Sequence, residues 1–226
     1  MVLIEQLLNK AQVKEFRNAL SQVPWNDGKE TAMGMASSVK QNGQTDAGDK
    51  QVQALANKLL GIFGSTPKLI SAALPHRIFP PCFNRYSSGE TYGFHVDAAI
   101  MRIPHNNEVL RSDMSMTTFL SEAYEYEGGE LIIQTEFGDR KVKLNAGDAV
   151  LYPSSSLHKV TPVTNGQRVA AITWMQSLVP DAHMRQTLFE LDQSIQTLLQ
   201  NPSIQRDELD RLHHVYHNLI RQSSQV

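Results

Sequence analysis

The chain has 226 residues, with 21 lysines and arginines against 23 aspartates and glutamates, a net charge of −2 and a single cysteine, Cys82. This balance leaves no excess positive charge to neutralise a phosphate backbone or an anionic bilayer, which argues against nucleic acid and membrane as partners. One thiol forms neither an internal disulfide nor a multi-thiolate zinc site, so a reducing, cytoplasmic setting is expected. Glu5 interrupts the apolar start before it reads as a signal peptide, and no run approaches the roughly 18 apolar residues of a membrane span.

In chain order, Val2-Leu3-Ile4 precedes a helical pattern in which Val13, Phe16 and Leu20 stand three and four apart, with Asn9 as cap. Beyond the Gly/Ser/Asn-rich segment 34–48, a second helix shows Val52, Leu55, Leu59, Leu60 and Phe63 on one face and ends near Gly64 and Pro67. Residues 1–75 therefore read as a mixed α/β support region. Residues 76–178 change texture to short strands: Cys82–Tyr86, Gly93–Ala98, Met114–Leu120, Leu131–Gln134, Lys141–Leu144, Ala149–Tyr152, His158–Val163 and Val169–Gln176. Turn residues at Gly89, Gly128-Gly129, Gly138-Asp139, Gly147, Pro153 and Asn165-Gly166 separate them. Strands without intervening helices predict an antiparallel barrel or double-sheet jelly roll, with its site inside the mouth.

Helical periodicity returns in residues 179–226. Asp181 caps a helix with Met184, Leu188, Leu191, Ile195 and Leu198 along one seam, and Pro202 breaks it. A last helix carries Leu209, Leu212, Val215, Tyr216 and Leu219. This helical hairpin is expected to pack on the barrel or on another subunit, which makes a homo-oligomer one expectation.

The residues able to carry chemistry lie in Asn84–Asp97, His158 and Arg168. On a strand, residues two apart face one side, so His95 and Asp97 would point an imidazole and a carboxylate at one place, with His158 completing a triangle from a later strand. Two histidines and one carboxylate on one face of a metal leave up to three adjacent positions free, the arrangement of non-haem Fe(II) oxygenases. A bidentate oxoacid fills two of these and dioxygen the third. Arg168 opens an otherwise apolar strand, where an unpaired guanidinium is costly to bury, and its planar fork suits the distal carboxylate of a dicarboxylic oxoacid.

With these residues in view, the sequence resembles the Fe(II)- and 2-oxoglutarate-dependent dioxygenases of the prolyl 4-hydroxylase type, and more closely the bacterial PKHD-type hydroxylases associated with iron uptake. The resemblance puts the iron ligands on His95, Asp97 and His158 and the 2-oxoglutarate anchor on Arg168, and it adds Tyr86 and Trp174 as co-substrate residues. It extends to Trp25–Ala32 and to Tyr216–Arg221, and so spans nearly the whole chain. It implies an α+β fold, a double-stranded β-helix (jelly-roll) barrel with N-terminal helices and a C-terminal helical hairpin. It also implies hydroxylation of a C–H bond on a peptide or small-molecule substrate, with dioxygen consumed, succinate and carbon dioxide released, and L-ascorbate as reductant. One departure is Phe119, where prolyl hydroxylases carry a tyrosine that contacts the co-substrate. A different class remains as alternative, a non-catalytic iron and 2-oxoglutarate sensor acting through a protein partner; a zinc hydrolase lacks His-Glu-x-x-His and a general-base glutamate.

Other residues have plainer expectations. Tyr92 and Phe94 read as wall and core, with Tyr92 a candidate for substrate contact. Arg111 would either orient Asp97 or form a surface salt bridge. Glu127-Gly-Gly-Glu130 is a corner needing positive φ, and Cys82 a buried small hydrophobe. His213 and His217 suit a solvated helix face, and His76, His105 and His183 follow no pattern. Substrate is expected to enter over the loops Tyr86–Tyr92 and Ala99–Ser112.

Overall fold

In the computed structural model, which describes residues 1–31, 34–104 and 108–225, the apolar start forms β1 (Val2–Ile4) and helix α1 (Lys10–Leu20) follows. Asn9 and Gln12 form a reciprocal capping box, at 2.9 Å in each direction, which satisfies two donors that the first turn would otherwise orphan. Next come β2 (Trp25–Asp27), the short α2 (Met35–Ser38), β3 (Lys40–Gln41) and β4 (Gly43–Thr45). Thus the polar 34–48 segment holds two strands that sequence patterning missed, because pairs two or three residues long show no periodicity. Helix α3 (Lys50–Gly64) is capped by Asp49. Pro67 then starts a further helix, α4 (Pro67–Ala73), as proline's fixed φ and missing N–H allow at a first helical position.

The strand-rich stretch runs β5 (Pro75–Ile78), β6 (Cys82–Tyr86), β7 (Thr91–His95), β8 (Ile100–Arg102), β9 (Val109–Arg111), β10 (Met114–Phe119), β11 (Tyr126–Gly128), β12 (Leu131–Thr135), β13 (Gly138–Val142), β14 (Ala149–Pro153), β15 (His158–Val160), β16 (Val163–Gly166) and β17 (Arg168–Ser177). The expected strand His158–Val163 is split because Pro162 lacks the N–H needed to continue the ladder. The expected strand Gly93–Ala98 starts earlier and stops at His95, so Asp97 lies beyond it. Lys141–Leu144 likewise moves back to Gly138–Val142, since Thr135 pairs with Gly138 and leaves the turn at 136–137.

Two antiparallel sheets face each other as a jelly roll. The larger has the order β1-β14-β10-β17-β6-β4-β2, with β5 also on β17; the smaller runs β13-β12-β15-β7-β3. The outer face of the large sheet, with Met116, Leu151, Ala171 and Phe83, packs on Phe16, Leu59 and Phe63 of the helices. Each buried Phe, Leu or Met side chain among them stabilises the fold by roughly 1.5–3 kcal/mol. The inner face, with Tyr86, Phe119, Val150 and Tyr152, meets Leu131, Ile133 and Val160 of the small sheet. Residues 40–44 run from the edge strand of the small sheet, β3, to β4, the last but one of the large sheet, closing one side.

The tail forms α5 (Ala182–Leu199) and α6 (Arg206–Ser223), with Asp181 accepting from the Met184 N–H at 2.6 Å. Their seam, Leu188, Ile195 and Tyr216, buries against Leu74 and Val179 of the same chain. Val215, expected on it, is instead 49% exposed.

Candidate metal centre

The site lies between the sheets. His95 ends β7 and His158 begins β15, and the two are register partners. A bulge sets Gly93 and Phe94 against the single Lys159, so Tyr92 and His95, three apart, both point inward while Phe94 turns out under the Lys159 ammonium. Gly93 is needed there, since a Cβ would lie 2.8 Å from the Cβ of Val39 in the flanking chain. Phe94 is accordingly no core residue but 39% exposed.

The donor atoms of His95, Asp97 and His158 all lie within 4.8 Å of one another, the one such cluster among the described residues. The His95 Nδ1–H donates to the Gly93 carbonyl at 2.8 Å and the His158 Nδ1–H to that of Ser156 at 3.0 Å. Both Nε2 lone pairs are thereby left for a ligand, and each tautomer is set by backbone. Burial, and then the neighbouring His158, pushes the pKa of His95 down to about 4, which keeps the imidazole neutral. The Asp97 carboxylate stands 3.8 Å from His158 Nε2. Its orientation comes from Ser115, whose hydroxyl donates at 2.6 Å and meets the Ser154 hydroxyl at 2.7 Å. Arg111 does not serve this purpose: it forks onto Asp113 at 2.7 and 3.0 Å. Tyr92 stacks on His95 with ring centroids 3.6 Å apart, and Tyr152 meets His158 edge-on.

Arg168 is 1% exposed, and its three guanidinium nitrogens have no hydrogen-bond partner. It pairs in register with Tyr86 and lies 5.3 Å from the ring centres of both Tyr86 and Phe119. The Tyr126 hydroxyl, close enough for Arg168 to act on its ionisation, is also buried without a partner. Such a cluster of unsatisfied donors costs several kcal/mol unless a ligand fills it. Trp174 shares the inner face but lies about 20 Å further along β17, opposite Ser115 and edge-on to Phe79. It therefore stands at the Asp97 end of the barrel, away from Arg168.

The remaining candidates play smaller parts. Gly128 and Gly129 take φ of 69° and 63° at the expected corner, and Glu130 binds Thr161 and Lys141. Cys82 is half-buried, and His213 and His217 stack on the surface of α6. The Ala99–Ser112 loop contains the β8–β9 hairpin, while His105 lies outside the described residues. Ser115, Tyr126 and the buried Lys40 escaped sequence analysis, since nothing local to a serine, tyrosine or lysine marks it as facing a metal site.

Residues 81–176 match the profile of the 2OG-Fe(II) oxygenase superfamily and residues 181–225 that of the PKHD-type hydroxylase C-terminal domain. A PKHD-type hydroxylase of Alteromonas mediterranea is 65% identical over 226 residues, all of both chains. Another from Acidovorax ebreus is 50% identical over 223 residues, 98% of this chain and 97% of its own. The fold is shared with a prolyl-4-hydroxylase of Pseudomonas putida (TM-score 0.51, 20% identity, 78% of this chain and 91% of that one). It is shared too with HygX of Streptomyces hygroscopicus, solved with nickel, 2-oxoglutarate and hygromycin B (TM-score 0.53, 12% identity, 79% and 83%). The chain belongs to the PKHD-type hydroxylases and is a 2-oxoglutarate- and Fe(II)-dependent dioxygenase.

Proposed function

We propose that His95, Asp97 and His158 hold the Fe(II), that Arg168 grips the distal carboxylate of 2-oxoglutarate, and that the enzyme hydroxylates a C–H bond of a peptide or small molecule. The observation that carries this reading is the orphaned Arg168 guanidinium, sealed in the same barrel as a His/Asp/His donor set. Two imidazoles and one carboxylate fit a divalent iron with free positions, and the buried fork, without a protein partner, fits a carboxylate.

Bound iron, with 2-oxoglutarate and dioxygen, supplies the oxidising chemistry that yields succinate, carbon dioxide and a hydroxylated product. The chain's own residues position and exclude. Ser115 holds one Asp97 oxygen so that the carboxylate does not swing away from the histidines. The rings of Tyr86 and Phe119 wall Arg168 from water, which strengthens its grip on a carboxylate. The Tyr126 hydroxyl supplies the co-substrate hydrogen bond that Phe119, lacking a hydroxyl, does not. Trp174 lines the opposite end of the same inner face. Val96, between His95 and Asp97 in the chain, and Leu157, next to His158, are exposed and apolar, as are Ile100 and Val109 of the β8–β9 hairpin, and an apolar lip of this kind suits substrate entry.

The reading includes ascorbate as reductant, a cytoplasmic setting and a connection to iron uptake, each resting on the family resemblance. Among the described residues no helix is long and apolar enough to cross a membrane. The test is succinate release by purified, iron-loaded protein given cell extract, with a search for products heavier by one oxygen. Succinate formation coupled to such a product is expected. Iron and 2-oxoglutarate binding without any turnover would turn the reading towards a sensor.

A further inference from the structure

Lys40 is a second cation inside the site. It sits on β3 directly opposite Tyr92, is only 6% exposed, and holds its ammonium 5.5 Å from the centre of the Tyr92 ring that stacks on His95. Two of its three protons go to neutral oxygens, Thr31 Oγ1 at 2.9 Å and Gln44 Oε1 at 2.8 Å. No carboxylate of the described residues pairs with it; Asp27, at the surface, and Asp97 act on it only at a distance. Beside it the inward Asn84, register partner of Gln44 and 7% exposed, has a buried Oδ1 with no partner.

Charge decides what this corner is for. With the metal and co-substrate bound as read above, the interior holds a divalent ion, Asp97, Arg168, Lys40 and a dicarboxylate. The dicarboxylate and Asp97 carry three negative charges against four positive ones. One positive charge is left over, and it lies on the Lys40 side, because Arg168 and the metal take the two ends of the oxoacid. An unpaired ammonium in a largely desolvated corner is unfavourable unless an anion arrives with the ligand.

Resting on that reading of the site, we propose that Lys40 is a substrate-positioning residue that binds a carboxylate of the molecule to be hydroxylated, with Asn84 taking a donor group of the same molecule. A neutral substrate would leave this ammonium unpaired, so Lys40 selects acids over their amides.

The probe is a panel of N-acetyl amino acids, each as free acid and as C-terminal amide, measured by calorimetry on oxygen-free protein loaded with Fe(II) and 2-oxoglutarate. Binding rather than turnover is read. In the wild type, acids are expected to bind about tenfold or more tighter than their amides, and in Lys40→Met the preference falls to about twofold or less. The affinity for 2-oxoglutarate should be the same in both proteins within about twofold. A nitrogen-detected NMR shift of the wild-type Lys40 ammonium on adding an acid, absent with its amide, tests the contact even if the variant does not fold. Equal binding of acid and amide, or no binding of any acid, overturns the proposal. A tenfold loss of 2-oxoglutarate affinity in Lys40→Met overturns it too, by assigning Lys40 to the co-substrate. Failure of the wild type to bind 2-oxoglutarate at all would instead be a failure of the reading on which the proposal rests.

Discussion

The Ser115 hydroxyl donates a 2.6 Å hydrogen bond to the Asp97 carboxylate, joining the middle of the large sheet to the segment that follows β7 of the small one. Ser115 is fully buried, and its contact with Ser154 leaves it little freedom to turn away. Asp97, beyond the end of β7, has no ladder of its own to hold it. Ser115→Ala should therefore weaken Fe(II) binding about 10–100-fold while leaving the fold and 2-oxoglutarate recognition in place. Metal titration of the two proteins checks this; unchanged iron affinity would mean that Asp97 is held in some other way.

Arg168→Met should weaken 2-oxoglutarate far more than iron, since it removes the fork from the end of the oxoacid distant from the metal. The same change relieves a buried, unpartnered guanidinium, so the ligand-free variant should be more stable than wild type by on the order of 1–3 kcal/mol. Arg168→Lys should restore part of the binding. Tyr126→Phe should cost a smaller amount, about 1–3 kcal/mol of co-substrate affinity, for the loss of one hydroxyl. Denaturant melts with and without 2-oxoglutarate read all of these. A destabilised Arg168→Met would show that the two flanking rings satisfy the cation.

Lys40 gives stability an alkaline limb. Burial pulls its pKa down to about 8 in the folded protein, whereas the unfolded chain titrates near about 10.4. Between these values the unfolded state holds a proton that the folded state has released, so stability rises with pH across that window. Below pH 8 the buried charge opposes folding in full. Lys40→Met should remove this slope and raise stability at pH 7 by on the order of 2 kcal/mol. Chemical denaturation at pH 7, 8, 9 and 10 is the measurement, and parallel profiles for the two proteins would contradict the assignment.

The C-terminal helices contribute no group to the metal centre, and their buried seam faces Leu74 and Val179. Leu188→Ala, at a position with no exposed surface, should cost about 2–4 kcal/mol. Ending the chain after Val179 should expose that apolar surface and cause aggregation or a changed mass in solution, with the iron ligands chemically intact. A truncated protein that kept its stability and mass but lost hydroxylation would place the tail in substrate binding instead.

Helix α1, α3 and the tail were legible in the chain because apolar residues three and four apart, with Asn9 ahead of the first and Asp181 ahead of the last, mark helices by purely local rules. The long central strands and the His-x-Asp, His and Arg pattern were legible for the same reason, and the family resemblance followed from them. Only tertiary structure decided what lies around that pattern. Asp97 reaches His95 by leaving the strand rather than by sharing its face, and Tyr92 joins His95 through a bulge that depends on pairing with β15. Lys40, Ser115 and Tyr126 come from strands of both sheets and from β11, and only sheet register brings them to one interior. Local sequence sets backbone preferences, but which side chains are sealed together, and which buried charges lack partners, depends on contacts between residues tens to more than a hundred positions apart.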